Sequence, residues 1–444
     1  MQTNTLYVGV GKADILFTDD MFPNLGENYT HIHDLPQIQV LYLRSVQPFV
    51  LVACGLVLVS NSRQIRHEVA ELFGVDESHV MIHAKHVLST PHYGSREGAV
   101  TIESIMERAR HMAHKELTLE EAETYLRREN LMNEAVLTAA ISAAIAARDC
   151  IQPARIGIGR GYSEVNINRV IRTNKGWWQG ANPDGITDRT VPVLRFDRED
   201  GTPLAILFNV NTAPGTLENS FLSDGRRPVS GDIASAAERY VDAEFKGAVS
   251  IYTTGATGDR WQTLRALFDT VDRNGNQTVT DLHEAGLLLM ELSGKRLGQQ
   301  IMKTAASIET HGLNSPLRLT YFEHNYPAQR VSVRENAGAT TECEFFPDGE
   351  TPAGYAILEL DSTAVIFCDV EMGIRSYRNI KLCSPFMDTF LVEFSSVGSG
   401  GGYMVEQDLY EKMCYQSRKS RYAAGSAEIF CDNILNSLNK LKSV

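Results

Sequence analysis

The sequence predicts an α/β protein: a single large domain over residues 1–444, with a mixed, largely parallel central sheet flanked by helices. Three observations predict it. Phe49–Val59 is a nearly continuous apolar run rich in Val and Leu, the pattern of a strand buried on both faces. Gln64–Phe73 then sets Ile65, Val69 and Leu72 on one helical face, and His79–Ala84 is β-rich again, so strand, helix and strand form a βαβ unit. Beyond them, helical and β-rich stretches continue to the end of the chain without a long linker or a repeat.

The remaining elements follow in order. Leu6–Gly9 and Ile38–Arg44 read as strands. Ile102 to Cys150 is helical, broken near Leu117, where Thr118 and Glu121 have the spacing of a capping box. Ala135–Arg148 is rich in Ala, the strongest helix former. Val191–Phe196 and Leu204–Val210 are strands around a turn at Arg198–Gly201. Ala234–Phe245 is a helix, and Ala248–Thr253 is a strand that ends in a glycine-rich loop. A helix over Leu282–Ala305 precedes strands at Leu317–Glu323, Tyr355–Leu360, Ala364–Cys368 and Phe390–Phe394. Leu409 to Leu441 is helical. Residues 325–352 are polar and irregular, and are expected to be a flexible insertion.

Charge and composition narrow the function. With 42 Lys+Arg against 55 Asp+Glu, the net charge is −13, which disfavours nucleic acid and anionic membranes as partners. The seven cysteines are dispersed and form no CxxC pair, as expected for buried thiols in a reducing compartment. Met1–Thr5 lacks a basic segment leading into an apolar run, and Phe49–Ser60 is too short to span a bilayer. The expectation is a cytoplasmic protein acting on a small-molecule substrate, without integral membrane contact and with a homo-oligomer open to it.

Familiar nucleotide and serine-hydrolase signatures are missing. Gly9-Val-Gly11-Lys12 lacks the gap and the Ser/Thr of a phosphate loop, Gly157-Ile-Gly159-Arg-Gly161 is not followed by a helix, and no G-x-S-x-G appears. Histidine placement is more informative: five of the twelve, His31, His33, His83, His86 and His92, fall in two short stretches. The second follows a buried-type strand, and ligands in α/β sheets bind beyond such carboxyl ends. Imidazoles there are either Zn²⁺ ligands or solvated and core side chains. Gly255-Ala-Thr-Gly258-Asp259 also follows a strand; its Asp either holds a cation or orders the loop. Ser230-Gly231-Asp232 reads as a helix cap. Asp272, Asn274, Asn276 and Val279 begin like a Ca²⁺ loop over 272–283, although Gln277 and His283 replace its Gly and Glu; a polar turn is the default. Gly400-Gly-Gly402 clears side chains from around Tyr403.

In their order along the chain, these pieces resemble the N-terminal catalytic domain of the neutral (alkaline, non-lysosomal) ceramidases. The resemblance rests on Val8–Asp14, Thr30-His-Ile-His33, Lys85-His86-Val-Leu-Ser-Thr-Pro91, Asn166-Ile-Asn168-Arg169, Ser230-Gly-Asp232, Gly255–Asp259, and Gly402-Tyr403 with Tyr410 and Tyr415. It implies a neutral-ceramidase-like fold and amide hydrolysis with one divalent ion, Zn²⁺ foremost and Mn²⁺ or Mg²⁺ as alternatives. It places metal ligands at His86, Glu371 and Tyr403, a substrate-pocket arginine at Arg169 and a supporting tyrosine at Tyr415. Two family histidines are absent: one aligns with Leu88, and one, a metal ligand, aligns with Asn211, which is kept as a fourth candidate ligand through its weaker carbonyl oxygen. His33, His83 or His92 could replace the missing imidazole, and His33 is kept among the catalytic candidates.

The expected activity is therefore metal-dependent hydrolysis of an amide or related acyl bond in a small intracellular substrate. The alternatives are a metal-poor protein that binds a ligand in the same crevice, and a lyase or isomerase that reuses the metal site.

Overall fold

The computed structural model describes residues 5–94, 100–333, 343–397 and 400–443. Its largest sheet has eight strands, ordered Val249–Thr254, Pro203–Val210, Thr190–Arg198, Gln152–Tyr162, Leu6–Asp14, Gln37–Arg44, Pro48–Cys54 and Val80–Ala84. The sheet is mixed and flanked by helices, as the sequence predicts, but it is not largely parallel. Only the two edge pairs run parallel. Each has a helical crossover, Ser62–Phe73 on one edge and Asp232–Glu244 on the other. Strands joined by tight turns, such as Gln37–Arg44 to Pro48–Cys54, pair antiparallel because a short connection cannot reverse direction twice.

The sheet curls until its edge strands meet at their carboxyl ends. Thr254 Oγ1 donates to the Lys85 carbonyl (2.6 Å), and Thr254 N–H donates to His83 Nε2 (3.3 Å). A four-stranded sheet, Arg318–Val333, Cys343–Leu360, Thr363–Cys368 and Asp388–Val392, packs against one face. Leu41, Phe49 and Leu207 of the large sheet and Leu358, Phe367 and Phe390 of the smaller one share a single core. The Leu119–Asp149 helix covers the other face of the large sheet near residues 38–52. That helix is long and apolar enough to cross a membrane, but Ala139, Ala140, Ala143, Ala144 and Ala147 are buried against protein. Ile374–Cys383 and Ser426–Lys442 cover the smaller sheet.

Residues 325–333 and 343–352 are not an irregular insertion: they are the arms of the hairpin between Arg318–Val333 and Cys343–Leu360. Tyr326 is buried edge-to-face against Tyr422, and Gln329 donates to the carbonyls of Ser417 and Ser420, which anchors the arm. The rest of the expected insertion, 334–342, lies outside the described residues. The expected helix over 409–441 is three helices: Gln407–Glu411, Tyr415–Lys419 and Ser426–Lys442. Asp272–Asn276 is the turn of a hairpin between Leu267–Val271 and Gln277–Asp281. The Asp272 carboxylate accepts from Asn274 N–H and Asn276 N–H, and His283 faces the Phe221 carbonyl, so the turn accounts for the Ca²⁺-like pattern.

Candidate functional site

Three strand ends build the site: Val80–Ala84, Val249–Thr254 and Asp388–Val392. After the second, the chain enters Gly255–Asp259. A Cβ at Gly258 would lie 2.6 Å from the Met372 carbonyl, so glycine lets this loop touch the strand that carries Glu371; Gly258 N–H donates to that carbonyl at 2.9 Å. Asp259 orders the loop: it accepts from Ile374 N–H (3.0 Å), Arg260 Nη2 (3.0 Å) and Asn168 Nδ2 (3.3 Å).

The loop holds Arg169. Arg169 N–H donates to the Asp259 carbonyl (3.0 Å), and Nη2 donates to the Gly258 carbonyl (2.9 Å). The same Nη2 reaches the Tyr403 hydroxyl (3.0 Å) and lies 4.0 Å from Glu371 Oε2. Glu371 and Tyr403 are register partners in a short parallel pair, Val370–Met372 with Gly402–Met404, which sets both side chains on one face. Tyr415, first residue of the Tyr415–Lys419 helix, packs edge-to-face on Tyr403 at 6.0 Å. The structure thus brings together Arg169, Glu371, Tyr403 and Tyr415, drawn from four separate segments.

Burial opposes charge on Arg169, but neighbouring Tyr403 and Glu371 more than offset it and hold its pKa above the ordinary value. Burial pushes the Tyr403 phenol far above its usual range, with Arg169 pulling the other way and Glu371 adding to the rise. Tyr415 is raised by burial as well. Both tyrosines are therefore neutral hydroxyls at pH 7, beside a fixed positive charge.

His86 lies just past its strand with φ +56°, and its ring stacks on Phe394 (3.8 Å, 10°), itself at φ +51°. Left-handed backbone at a bulky side chain is costly and clusters at functional sites. His86 Nδ1 faces the Val57 carbonyl at 2.8 Å; a carbonyl only accepts, so Nδ1 carries a proton and donates it there. Phe394 follows Glu393, whose carboxylate accepts from Met372 N–H, next to Glu371.

The other candidates take different roles. His83 is fully buried, and both ring nitrogens bond to backbone: Nδ1 to the Glu393 carbonyl (2.8 Å) and Nε2 to Thr254 N–H. Burial pulls its pKa down to about 3. It braces the sheets and does not replace a missing imidazole. His92 pairs with Glu27 (2.7 Å), and His33 is 4.0 Å from Asp34, whose carboxylate accepts from Ser230 and Gly231. Asn211 has both ends of its amide engaged: Oδ1 accepts from Ala256 N–H (3.1 Å) and Nδ2 donates to the Asp188 carbonyl (3.3 Å). Asp232 is more than a cap: it is a buried hub at φ +54° that accepts from Ser89 Oγ, Thr216 N–H, Leu217 N–H and Ile233 N–H.

Sequence reasoning missed Trp261, Arg265, Glu218 and Glu393. Arg265 stacks on Trp261 at 3.8 Å and pairs with Glu218 (2.8 Å), while Arg169 stands 5.8 Å from the same indole. Trp261 was legible as the residue that ends the glycine loop; the others carry no local signal.

Among the described residues, no three His, Cys, Asp or Glu side chains gather closely enough to hold a metal ion. The donors that fit a divalent ion by chemistry are one imidazole with its Nδ1–H anchored on a carbonyl, one carboxylate and one phenol: His86, Glu371 and Tyr403. Arg169 stands over the last two, so its guanidinium already faces both of these oxygens.

No protein-family model matches the chain, and no curated protein sequence does. Solved structures do. A ceramidase complexed with C2 superposes with a TM-score of 0.71 at 13% identity, over 99% of this chain and 75% of the other. The neutral ceramidase from Pseudomonas aeruginosa gives a TM-score of 0.69 at 12% identity, with the same coverage of 99% and 75%. The chain has a neutral-ceramidase-like fold, as its motif order implies.

Proposed function

We propose that this protein, on its neutral-ceramidase-like fold, hydrolyses an amide or related acyl bond of a small substrate at the Arg169–Glu371–Tyr403–Tyr415 cluster. The convergence of Arg169 Nη2 on Tyr403 (3.0 Å) and Glu371 (4.0 Å) carries the reading. Acyl transfer needs fixed donors where a carbonyl oxygen gains charge, and a buried guanidinium beside neutral phenols supplies them with little reorganisation. Arg169 orients the carbonyl and steadies its developing charge. Tyr415 braces Tyr403 by ring contact and presents a hydroxyl that stays protonated. His86, Glu371 and Tyr403 are the residues to hold a divalent ion, Zn²⁺ best suiting an imidazole. When bound, such an ion supplies carbonyl polarisation and a more acidic water.

The test is amine release from a panel of N-acyl compounds, with and without added Zn²⁺ or Mn²⁺, alongside Zn²⁺ titration. Arg169→Leu is expected to lower turnover by about 10²–10³-fold, the usual effect of losing one such donor. Zn²⁺ affinity should rise in the same variant, because a positive charge 4.0 Å from the Glu371 carboxylate is gone. Loss of turnover with unchanged or weaker Zn²⁺ affinity removes the metal part of the proposal. No amine release from any compound under any condition overturns the hydrolase itself. The engaged amide of Asn211 favours a second reading, a ligand-binding protein without turnover. Its signature is a rise in melting temperature with an N-acyl compound that is never cleaved.

A further inference from the structure

Glu393 is fully buried just after the Asp388–Val392 strand. Its carboxylate accepts three hydrogen bonds. Oε1 takes Met372 N–H (2.5 Å); Oε2 takes Thr257 N–H (3.0 Å) and Thr257 Oγ1 (2.7 Å). Met372 adjoins Glu371 in the strand that pairs with Tyr403. Thr257 adjoins Gly258, whose carbonyl holds Arg169. One carboxyl group therefore spans the segment that presents Glu371 and the loop that holds Arg169. The main chain of the same residue continues the pattern: its carbonyl accepts from His83, its N–H donates to the Thr254 carbonyl, and the next residue is the Phe394 platform under His86.

From this convergence we infer that Glu393 is a positioning residue of the proposed site, setting His86, Arg169 and Glu371 relative to one another. The inference rests on the hydrolase reading for its purpose, not for its geometry. Burial raises the Glu393 pKa well above the ordinary carboxyl range, yet in either protonation state each of its oxygens has to accept from a backbone N–H. Two backbone N–H groups and a hydroxyl point at its oxygens, and an amide of identical shape would turn its own N–H₂ against one of them. An ordinary fastening role predicts only lost stability when Glu393 is changed. A positioning role predicts that the site moves.

The experiment follows the histidine rings of the full chain by NMR, with the His86 signal assigned through His86→Ala. In the wild type, stacking on Phe394 shifts the His86 ring protons upfield. Glu393→Gln is expected to remove most of that shift and leave the His92 signal in place. Tyr355→Phe, which removes a buried hydrogen bond to the Asn433 carbonyl, should move neither. Should Glu393→Gln fail to fold, Thr257→Val removes only the hydroxyl donor and should shift His86 in the same direction by less. For any amide the wild type cleaves, Glu393→Gln should lower kcat by up to about 10²-fold with KM nearly unchanged, as a misplacement near 1 Å does. An unmoved His86 signal in the folded variants overturns the inference, whatever the activity. A moved signal in a protein that cleaves nothing upholds the positioning and counts against the hydrolase.

Discussion

His83 and His86 lie three residues apart, yet the structure gives them opposite uses. His83 is still in the strand, fully buried, with both nitrogens fixed by backbone. His86 is past the strand end, in left-handed backbone, on an aromatic platform. The difference has a pH signature. Burial lowers the His83 pKa from 6.5 to about 3, so the folded state refuses a proton that the unfolded chain binds near pH 6.5. The stabilisation it represents is complete above pH 6.5 and is lost as the pH falls toward 3, at up to about 1.4 kcal/mol per pH unit. Urea denaturation between pH 7.5 and 4.5 should show this slope in the wild type and a shallower one in His83→Gln. Equal slopes would mean that His83 titrates normally. The histidine cluster was legible in the sequence, but not the division of labour within it. That depends on Ser395, Glu393 and Thr254, which reach His83 only through folding. Glu371 and Tyr403 were legible only through the order of motifs, because their pairing is a strand register that local spacing does not encode.

Elements were read best where local chemistry and packing agree. The break near Leu117 is a full capping box: Thr118 Oγ1 accepts from Glu121 N–H (3.2 Å), and Glu121 Oε2 accepts from Thr118 N–H (2.8 Å). The βαβ unit was read from its apolar run and is present, its strands parallel. Elements were missed where a strand must be thin. Gly9 and Gly11, which resemble a phosphate loop, are strand residues under the Leu119–Asp149 helix. A Cβ at either would come within 2.2 Å of a helix carbonyl, that of Ala147 or of Ala143. Gly157 and Gly159 make similar room for Ile308, so the Gln152–Tyr162 strand has too few apolar side chains to look like one. Gly11→Val should therefore cost at least 2–3 kcal/mol, the scale of overpacking a close-packed layer. Thr118→Ala, on the solvent side of the same helix, should cost about 1 kcal/mol. Guanidinium melts of the two variants check the order; a Gly11→Val variant as stable as Thr118→Ala would refute the close approach.

At the scale of the molecule, the site exists because a curled sheet brings together strand ends that lie at its opposite edges. A buried ion pair helps to close that curl. Lys85, directly after the Val80–Ala84 strand, donates to Glu238 in the Asp232–Glu244 crossover helix on the far edge, and both are fully buried. Glu238 also accepts from Tyr252 N–H (2.7 Å) and Gln39 Nε2 (3.1 Å), and Lys85 donates to Gln39 Oε1 (2.6 Å), so three strands and a helix meet at one charged knot. Composition gave no hint of this, because a Lys and a Glu 153 residues apart look like surface charges until the sheet curls. Removing one partner strands the other charge in the interior. Lys85→Met should therefore destabilise the protein by about 3–5 kcal/mol. Glu238→Gln should cost less than the single charge suggests, since an amide still accepts from Tyr252 N–H. In the double variant the two losses should not add, and the shortfall measures the coupling across the closed sheet. Additive losses would show that the edges are held without the ion pair. The Thr254 contacts to His83 and Lys85 would then have to keep the strand ends, and with them His86 and Arg169, in place without help from buried charge.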